Sequence, residues 1–317
     1  MLRKEKEMKI AHLSDLHINS DHRPLNISYT EKLIEQAIQE SVDHIIITGD
    51  LTHNASDRDF DTLRQIFEKY DLLHSEKLSL VIGNHDIYGG VHLAEDILTF
   101  PERCLSTDYH QQVMKFHYYF QEAFDNIIQP FPHLLYPFAK FAGNCVFVGI
   151  NSIAQYSRVK NLFASKGKID QRQREGVRKI LKNENVFDKI KIFLIHHHFT
   201  KYYENKFKNN PTFLQNIEGR SMKLRQRKKI IKFLHQNSVD LVLHGHLHES
   251  SEYIKQGVRF VNAGGTIDGN RPGELKLNLI SIIKDMIETR IKTVSSSHTY
   301  PNTPFITGEP AYKELYD

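Results

Sequence analysis

Ile10–Asn19 reads IAHLSDLHIN, a mostly apolar run from Ile10 to Leu13 that stops at Asp15 and His17. In a strand, residues two apart point the same way, so this carboxylate and this imidazole are presented on one side. Such a pair at the end of a buried strand suits a divalent transition metal. One D-x-H taken alone reads as readily as a polar surface pair after a core strand. The rest of the chain has to decide.

The pattern recurs. After an Asp21–Asn26 loop, Thr30–Glu40 carries Leu33, Ile34, Ala37 and Ile38 at helical spacing. Val42–Thr48 (VDHIIIT) is a short β-branched strand of buried parallel type that ends in Gly49-Asp50. Asp57–Lys69 places Phe60, Leu63, Ile66 and Phe67 on one helical face, and the strand Leu78–Ile82 runs into Gly83-Asn84-His85-Asp86. Strand, helix, strand with polar residues at the strand exits is the βαβ arrangement, in which ligands gather beyond the carboxyl ends of the strands. Asp86 can orient His85 or cap the turn that follows.

Ile87–Phe141 breaks this rhythm, with eight aromatics from Phe116 to Phe138 and prolines at 130, 132 and 137. It reads as an insertion over the sheet edge near the site, helical over about 108–128, its aromatics forming local core rather than a substrate platform. Asn144–Ile150 is the next strand. The basic helix Asp170–Lys182 starts on an Asp cap, and its Arg172, Arg174, Arg178 and Lys179 read as a solvated face. Lys189–Ile195 is a strand ending in His196-His197-His198. Tyr202–Arg220 reads as a loop, Ser221–Gln236 as a basic amphipathic helix, and Val239–Leu243 as a strand ending in His244-Gly245-His246-Leu247-His248. Tyr253–Val261, Leu275–Ile283 and Met286–Val294 read as antiparallel strands with glycine turns at Gly264-Gly265 and Gly269. Residues 295–317 have no periodicity and read as a loosely packed tail after a domain spanning 1–294.

Composition sets bounds. A chain of 317 residues, 25% charged and 40% hydrophobic, is ordinary for a water-exposed globular protein and long enough for a sizeable core. The net charge of +4 does not by itself point to nucleic acid or a membrane surface. Cys104 and Cys145 read as buried thiols, no apolar leader or membrane span is expected, and cytoplasm is the expected compartment. No H-E-x-x-H, Walker loop, G-x-G-x-x-G or G-x-S-x-G is present, which sets aside the chemistries those motifs serve.

Five strand ends therefore carry metal-capable side chains: Asp15 with His17, Asp50, Asn84 with His85, the triple histidine, and His246 with His248. Counting one member of the triple run, they offer seven donors. That supply suits two ions roughly 3.5–4 Å apart with one carboxylate shared. Oxygen and nitrogen donors without thiolate favour Mn, Fe, Zn or Ni over calcium, with Mn or Fe preferred.

In that order, D-x-H, G-D, G-N-H-D, a strand-end histidine group and G-H-x-H resemble the calcineurin-like metallophosphoesterase superfamily, from Met8 to about Ile291. The resemblance implies a four-layer α/β/β/α sandwich with mixed sheets and a dinuclear site at the strand ends. It implies that Asp15, His17 and His248 bind one ion, that Asn84, His197 and His246 bind the other, and that Asp50 bridges them. His85 stays free as general acid. The family's His-His-Pro pattern is broken by Phe199, and alignment on that position selects His197 while keeping His196 in play. The implied reaction is attack by a metal-bridging hydroxide on a small-molecule phosphoester, with phosphodiesters favoured. A nuclease is the alternative, its one basic track being Arg220–Lys232 (RSMKLRQRKKIIK), where Leu224, Ile230 and Ile231 mark a packed helix with a wet face. A metal-free scaffold would need gaps in the donor set, and none is seen.

Overall fold

The computed structural model describes residues 7–91, 94–200, 222, 224–248, 250–267 and 274–296. The expected loop 202–220 and all of the tail after Ser296 lie outside these. In β5 (Cys145–Gly149), Cys145 and Phe147 join one core while Val146 and Val148 join another. β6 (Ile190–Leu194) and β7 (Leu241–His244) divide alike, with Ile192, Leu194, Leu241 and Leu243 on the first side and Phe193 and Val242 on the second. With a side-chain period of two, both faces of this sheet are covered.

The first face packs on a sheet built from β1 (Met8–Leu13), β2 (His44–Thr48), β3 (Leu78–Val81), β10 (Glu274–Ile283) and β11 (Met286–Ser295), in the order β11-β10-β1-β2-β3. β1, β2 and β3 are parallel, and β10 returns antiparallel to β1. The second sheet runs β4-β5-β6-β7-β9-β8, with β4 (Phe138–Ala142) and β8 (Ser250–Lys255) as antiparallel edges and β9 (Val258–Ala263) parallel to β7. Helices α1 (Leu25–Gln39) and α2 (Asp57–Lys69) bury Leu33, Ile34, Phe60 and Leu63 in the first core. α6 (Gln171–Leu181) and α7 (Arg227–Gln236) bury Val177, Ile180, Ile230 and Leu234 in the second. Each such side chain contributes about 1.5–3 kcal/mol when fully buried. The expected four-layer α/β/β/α sandwich with mixed sheets is the fold observed.

Several local expectations are corrected. α1 begins at Leu25, just after Pro24, because proline's fixed φ starts a helix without loss of a hydrogen bond. Asn26 in its first turn then donates to the carbonyls of Leu16 and His17, at 2.9 and 3.0 Å, and so holds the D-x-H loop. Tyr253–Val261 is not one strand but the hairpin β8–β9. It turns at Gln256-Gly257, both at positive φ (52° and 80°), the geometry that matches strand twist in two-residue hairpins.

Where helix was expected over about 108–128, the segment 87–141 forms α5 (Tyr109–Tyr119) and a 3₁₀ turn, Gln121–Phe124. It also forms an unexpected α4 (Ala94–Ser106), which contains Pro101, and ends in β4. Its Phe116 and Phe120 are fully buried against Phe60 of α2 at ring distances of 6.3 and 6.0 Å, as local core. The Tyr109 hydroxyl donates to the Ile153 carbonyl (2.9 Å) and accepts from Asn151 (2.9 Å), tying α5 to the loop after β5.

Candidate metal centre

The parallel strands of both sheets end together, and the loops beyond them continue to pair. The N–H of Asp15 donates to Gly49 O and that of His17 to Asp50 O, each at 3.0 Å. The turns are tight: Asp15, His17, Asp50 and His246 all have positive φ, between 46° and 70°. Asp and His enter that region more readily than most residues, and strained backbone of this kind gathers at functional sites. Gly49 (φ 93°) leaves room for a neighbour, since a Cβ there would lie 2.5 Å from Nδ1 of the His196 ring.

Among the described residues three groups of close donors result: Asp15 with His17 and His248, Asp50 with His196 and His246, and His17 with His53 and His85, which shares His17 with the first. In the first, His17 Nε2 stands 3.3 Å from His248 Nε2, which is 3.8 Å from Asp15 Oδ1. In the second, His196 Nε2 stands 3.1 Å from Asn84 Oδ1, 3.1 Å from His246 Nδ1 and 3.3 Å from Asp50 Oδ2. Donor atoms about 2.1 Å from a common ion stand about 3.0–3.4 Å from one another. Four of these five spacings fit, and the fifth, 3.8 Å from His248 to Asp15, is longer. The orientation fits as well. His196 Nδ1 lies 2.8 Å from the Thr48 carbonyl, which can only accept, so Nδ1 carries the proton and Nε2 is the nitrogen turned to the cluster.

His197 is not brought to any of these groups. Its Nε2 donates to the Ser165 carbonyl (3.0 Å) and its Nδ1 faces the Ser152 hydroxyl (2.8 Å), so both nitrogens are spent. The position expected of His197 is filled by His196. His198, also buried, hydrogen-bonds through neither ring nitrogen and lies 6.0 Å, ring to ring, from His246.

Electrostatics follow from burial. Burial holds His17 and His246 well below the ordinary histidine range, as neutral imidazoles with lone pairs to give. Burial raises Asp15. Burial also works to raise Asp50, but the facing His196 and His85 hold it below the usual carboxylate range. For His196 burial opposes the charged form, yet Asp50 and Asp15 lift it to about 9. Two carboxylates thus draw positive charge to this point, which is what a cation-binding site requires.

His85 is half-buried and belongs to neither of the first two groups, although a ring nitrogen lies within 4.8 Å of donor atoms of His17 and His53. Its backbone N–H donates to Asp50 Oδ1 (2.8 Å), and its Nδ1 donates to the His53 carbonyl (3.2 Å), which leaves Nε2 open. Asp86 neither orients the His85 ring nor caps the short helix α3 (His85–Tyr88). Its carboxylate accepts from the N–H groups of Leu51 (3.2 Å), Thr52 (2.8 Å) and Gly83 (2.9 Å) and from the Thr52 hydroxyl (3.1 Å). It staples the G-D loop to the G-N-H-D loop. Sequence reasoning missed His53, whose ring lies 4.8 Å from His85 and 5.4 Å from His17. The only signal was its place three residues after Asp50 at the same strand exit.

A family model described as calcineurin-like phosphoesterase matches residues 8–250. A curated relative from Ruthia magnifica subsp. Calyptogena magnifica, described as a probable cyclic nucleotide phosphodiesterase, is 33% identical over 78 residues. That stretch is 24% of this chain and spans only about a third (32%) of the relative. Among solved structures, a dimetal phosphatase from Danio rerio is similar over 92% of this chain and 99% of its own, at 13% identity and a TM-score of 0.57. Purple acid phosphatase PPD1 from yellow lupin (Lupinus luteus) seeds is similar over 93% of this chain and 53% of its own, at 14% identity and a TM-score of 0.56. At these identities the likeness is one of fold.

Proposed function

The chain belongs to the calcineurin-like phosphoesterase family, and from that premise we propose that it hydrolyses phosphate esters, diesters before monoesters, at a dinuclear centre. Asp15, His17 and His248 would hold one divalent ion, Asn84, His196 and His246 the other, and Asp50 would bridge them. The observation that carries this reading is the meeting of seven oxygen and nitrogen donors from five strand exits at two points. Manganese or iron suits this donor set, with zinc and nickel also accommodated. The preference for diesters rests on the relative described as a cyclic nucleotide phosphodiesterase. The two free, buried cysteines support placing the protein in the cytoplasm. No helix among the described residues is long and apolar enough to cross a membrane.

The chemistry supplied by a bound ion pair is the activation of water and the neutralisation of charge on the phosphoryl oxygens. The chain's own residues do the rest. His196 is held in one tautomer by Thr48, and Asp15 is fixed by the His246 N–H at 3.1 Å, so the donors are set before any ion arrives. His85, its Nδ1 engaged by His53, presents Nε2 to protonate the departing alkoxide, a contribution of about 10²–10⁴-fold.

The test is turnover of bis(p-nitrophenyl) phosphate by purified protein with added Mn²⁺, beside Asp50→Asn. Metal-dependent turnover is expected, and it should collapse in the variant while the thermal transition persists. Absence of turnover in metal-loaded protein, or normal turnover by the variant, overturns the reading.

A further inference from the structure

α6 and α7 lie side by side on the outer face of the second sheet. Arg178 stacks 5.1 Å from the Phe233 ring, Arg174 reaches Gln226, and the N–H of Arg225 donates to Gly167 O at 2.8 Å. The two basic stretches, separate in sequence, are therefore one surface. Residues 166–182 and 224–236 hold twelve Lys and Arg against two acids, Asp170 and Glu175. That is +10 in a chain of net +4, so the remaining residues sum to −6. The modest total conceals a strong polarity.

The cations of this face are also unusual in their company. On the opposite outer layer Arg58 pairs with Asp21, Lys69 with Glu31, and Lys77 with Asp71. Among the described residues, no ion pair engages Lys168, Arg172, Arg178, Lys179, Lys182, Arg225, Lys228, Lys229 or Lys232, all of which are exposed. Like charges held together without counterions cost stability through self-repulsion, and a polyanion relieves that cost. The acids present do not, since Asp170 is occupied in capping Gln173 and Glu175 accepts from Gln171.

We propose that the α6–α7 face binds the phosphate backbone of nucleic acid. Arg and Lys in two parallel rows supply phosphate contacts without base readout, so binding is sequence-independent. An anionic membrane fits less well, because stable attachment needs an apolar anchor beside the charge. Every apolar side chain of α6 and α7 is buried or half-buried. The rows begin beside the metal centre: Arg227 donates to the Thr200 carbonyl, two residues beyond His198, at 2.7 Å. Binding here goes beyond the phosphoesterase reading and does not depend on it.

The experiment is fluorescence anisotropy of a labelled single-stranded oligonucleotide with the metal-loaded full chain, between about 50 and 200 mM salt. Three proteins are compared. The first is the wild type. The second carries Arg178→Gln, Lys182→Gln, Lys229→Gln and Lys232→Gln. The third carries Lys32→Gln, Arg58→Gln, Lys69→Gln and Lys77→Gln, the same charge removed from the other layer.

The expected result is salt-dependent wild-type binding that weakens about tenfold or more in the second protein only. The slope of log affinity against log salt should fall by about 3, at about 0.7 for each phosphate that the variant no longer neutralises. Hydrolysis of bis(p-nitrophenyl) phosphate should be the same in all three. Equal weakening in the second and third proteins would make this a net-charge effect and overturn the proposal. So would absence of oligonucleotide binding, or capture by phosphatidylserine vesicles in its place. Oligonucleotide binding without phosphoesterase activity would sink the catalytic reading and leave this one standing.

Discussion

His196 and His197 share a peptide bond and face different surroundings. His196 Nε2 stands 3.1 Å from His246 Nδ1, whereas His197 is held between Ser152 and the Ser165 carbonyl. Their alanine variants should therefore differ. His196→Ala is expected to weaken one of two metal sites by about 100-fold or more and to abolish turnover. His197→Ala should keep both ions and lose about 1–3 kcal/mol of stability from unpaired buried polar groups. Metal stoichiometry by elemental analysis, with denaturant melts, reads both. The reverse pattern would refute the assignment.

Gly90 sits where a side chain would meet two imidazoles. A Cβ there would lie 2.5 Å from His53 Cε1 and 2.6 Å from His85 Cε1. Gly90→Ala should push the His85 ring off its line without touching the metal donors. Hydrolysis of a diester with a poor alkoxide leaving group is expected to fall about 10²–10⁴-fold. Release of p-nitrophenolate, which needs little protonation, should change by less than about tenfold. Equal losses on both substrates, or none, would remove Gly90 from this role, with His85→Ala as the benchmark.

Asp86 is satisfied by three backbone N–H groups and one hydroxyl, all donors. Asp86→Asn turns an NH₂ toward some of them, so donor meets donor in a fully buried place. A loss of about 1–3 kcal/mol is expected, with weaker metal retention because the two loops it joins carry Asp50 and Asn84. Urea denaturation and metal release to a chelator would show it. Unchanged values on both would mean the staple is dispensable.

Lys140 is buried, its Nζ bonded to the carbonyls of Leu78 and Ala123, each at 2.6 Å, and burial lowers its pKa to about 7. A neutral amine still has two protons for two acceptors. Between pH 7 and the unfolded value of about 10.4 the unfolded chain holds a proton that the folded one lacks. Stability should therefore rise with pH in that window, by up to about 1.4 kcal/mol per unit from this group. Below pH 7 both states are charged and the contribution levels off. Lys140→Met should remove that rise, as read by urea midpoints at pH 7, 8 and 9. An identical slope in both proteins would exclude Lys140 as its source.

Much of this was legible from local pattern. Apolar runs that end in Asp15, Asp50, Asn84 and His246 predict strands whose exits converge, because a parallel sheet collects its carboxyl ends on one side. The donor types suit divalent transition metals. The alternation along Ile190–Leu194 even held a clue to the histidine, since His196 continues the face of Ile192 and Leu194. Yet a period of two says which residues share a face, not which face meets the other sheet. Only the packing of one sheet on the other turned His196 inward and spent His197 on Ser152. The same limit hid the charge. Each basic helix, read singly, was a solvated face, and their union depended on β6 and β7 lying side by side. What one element does with its own residues was written in order along the chain; what two elements do together was decided in three dimensions, because contact between distant residues is a property of the packed fold.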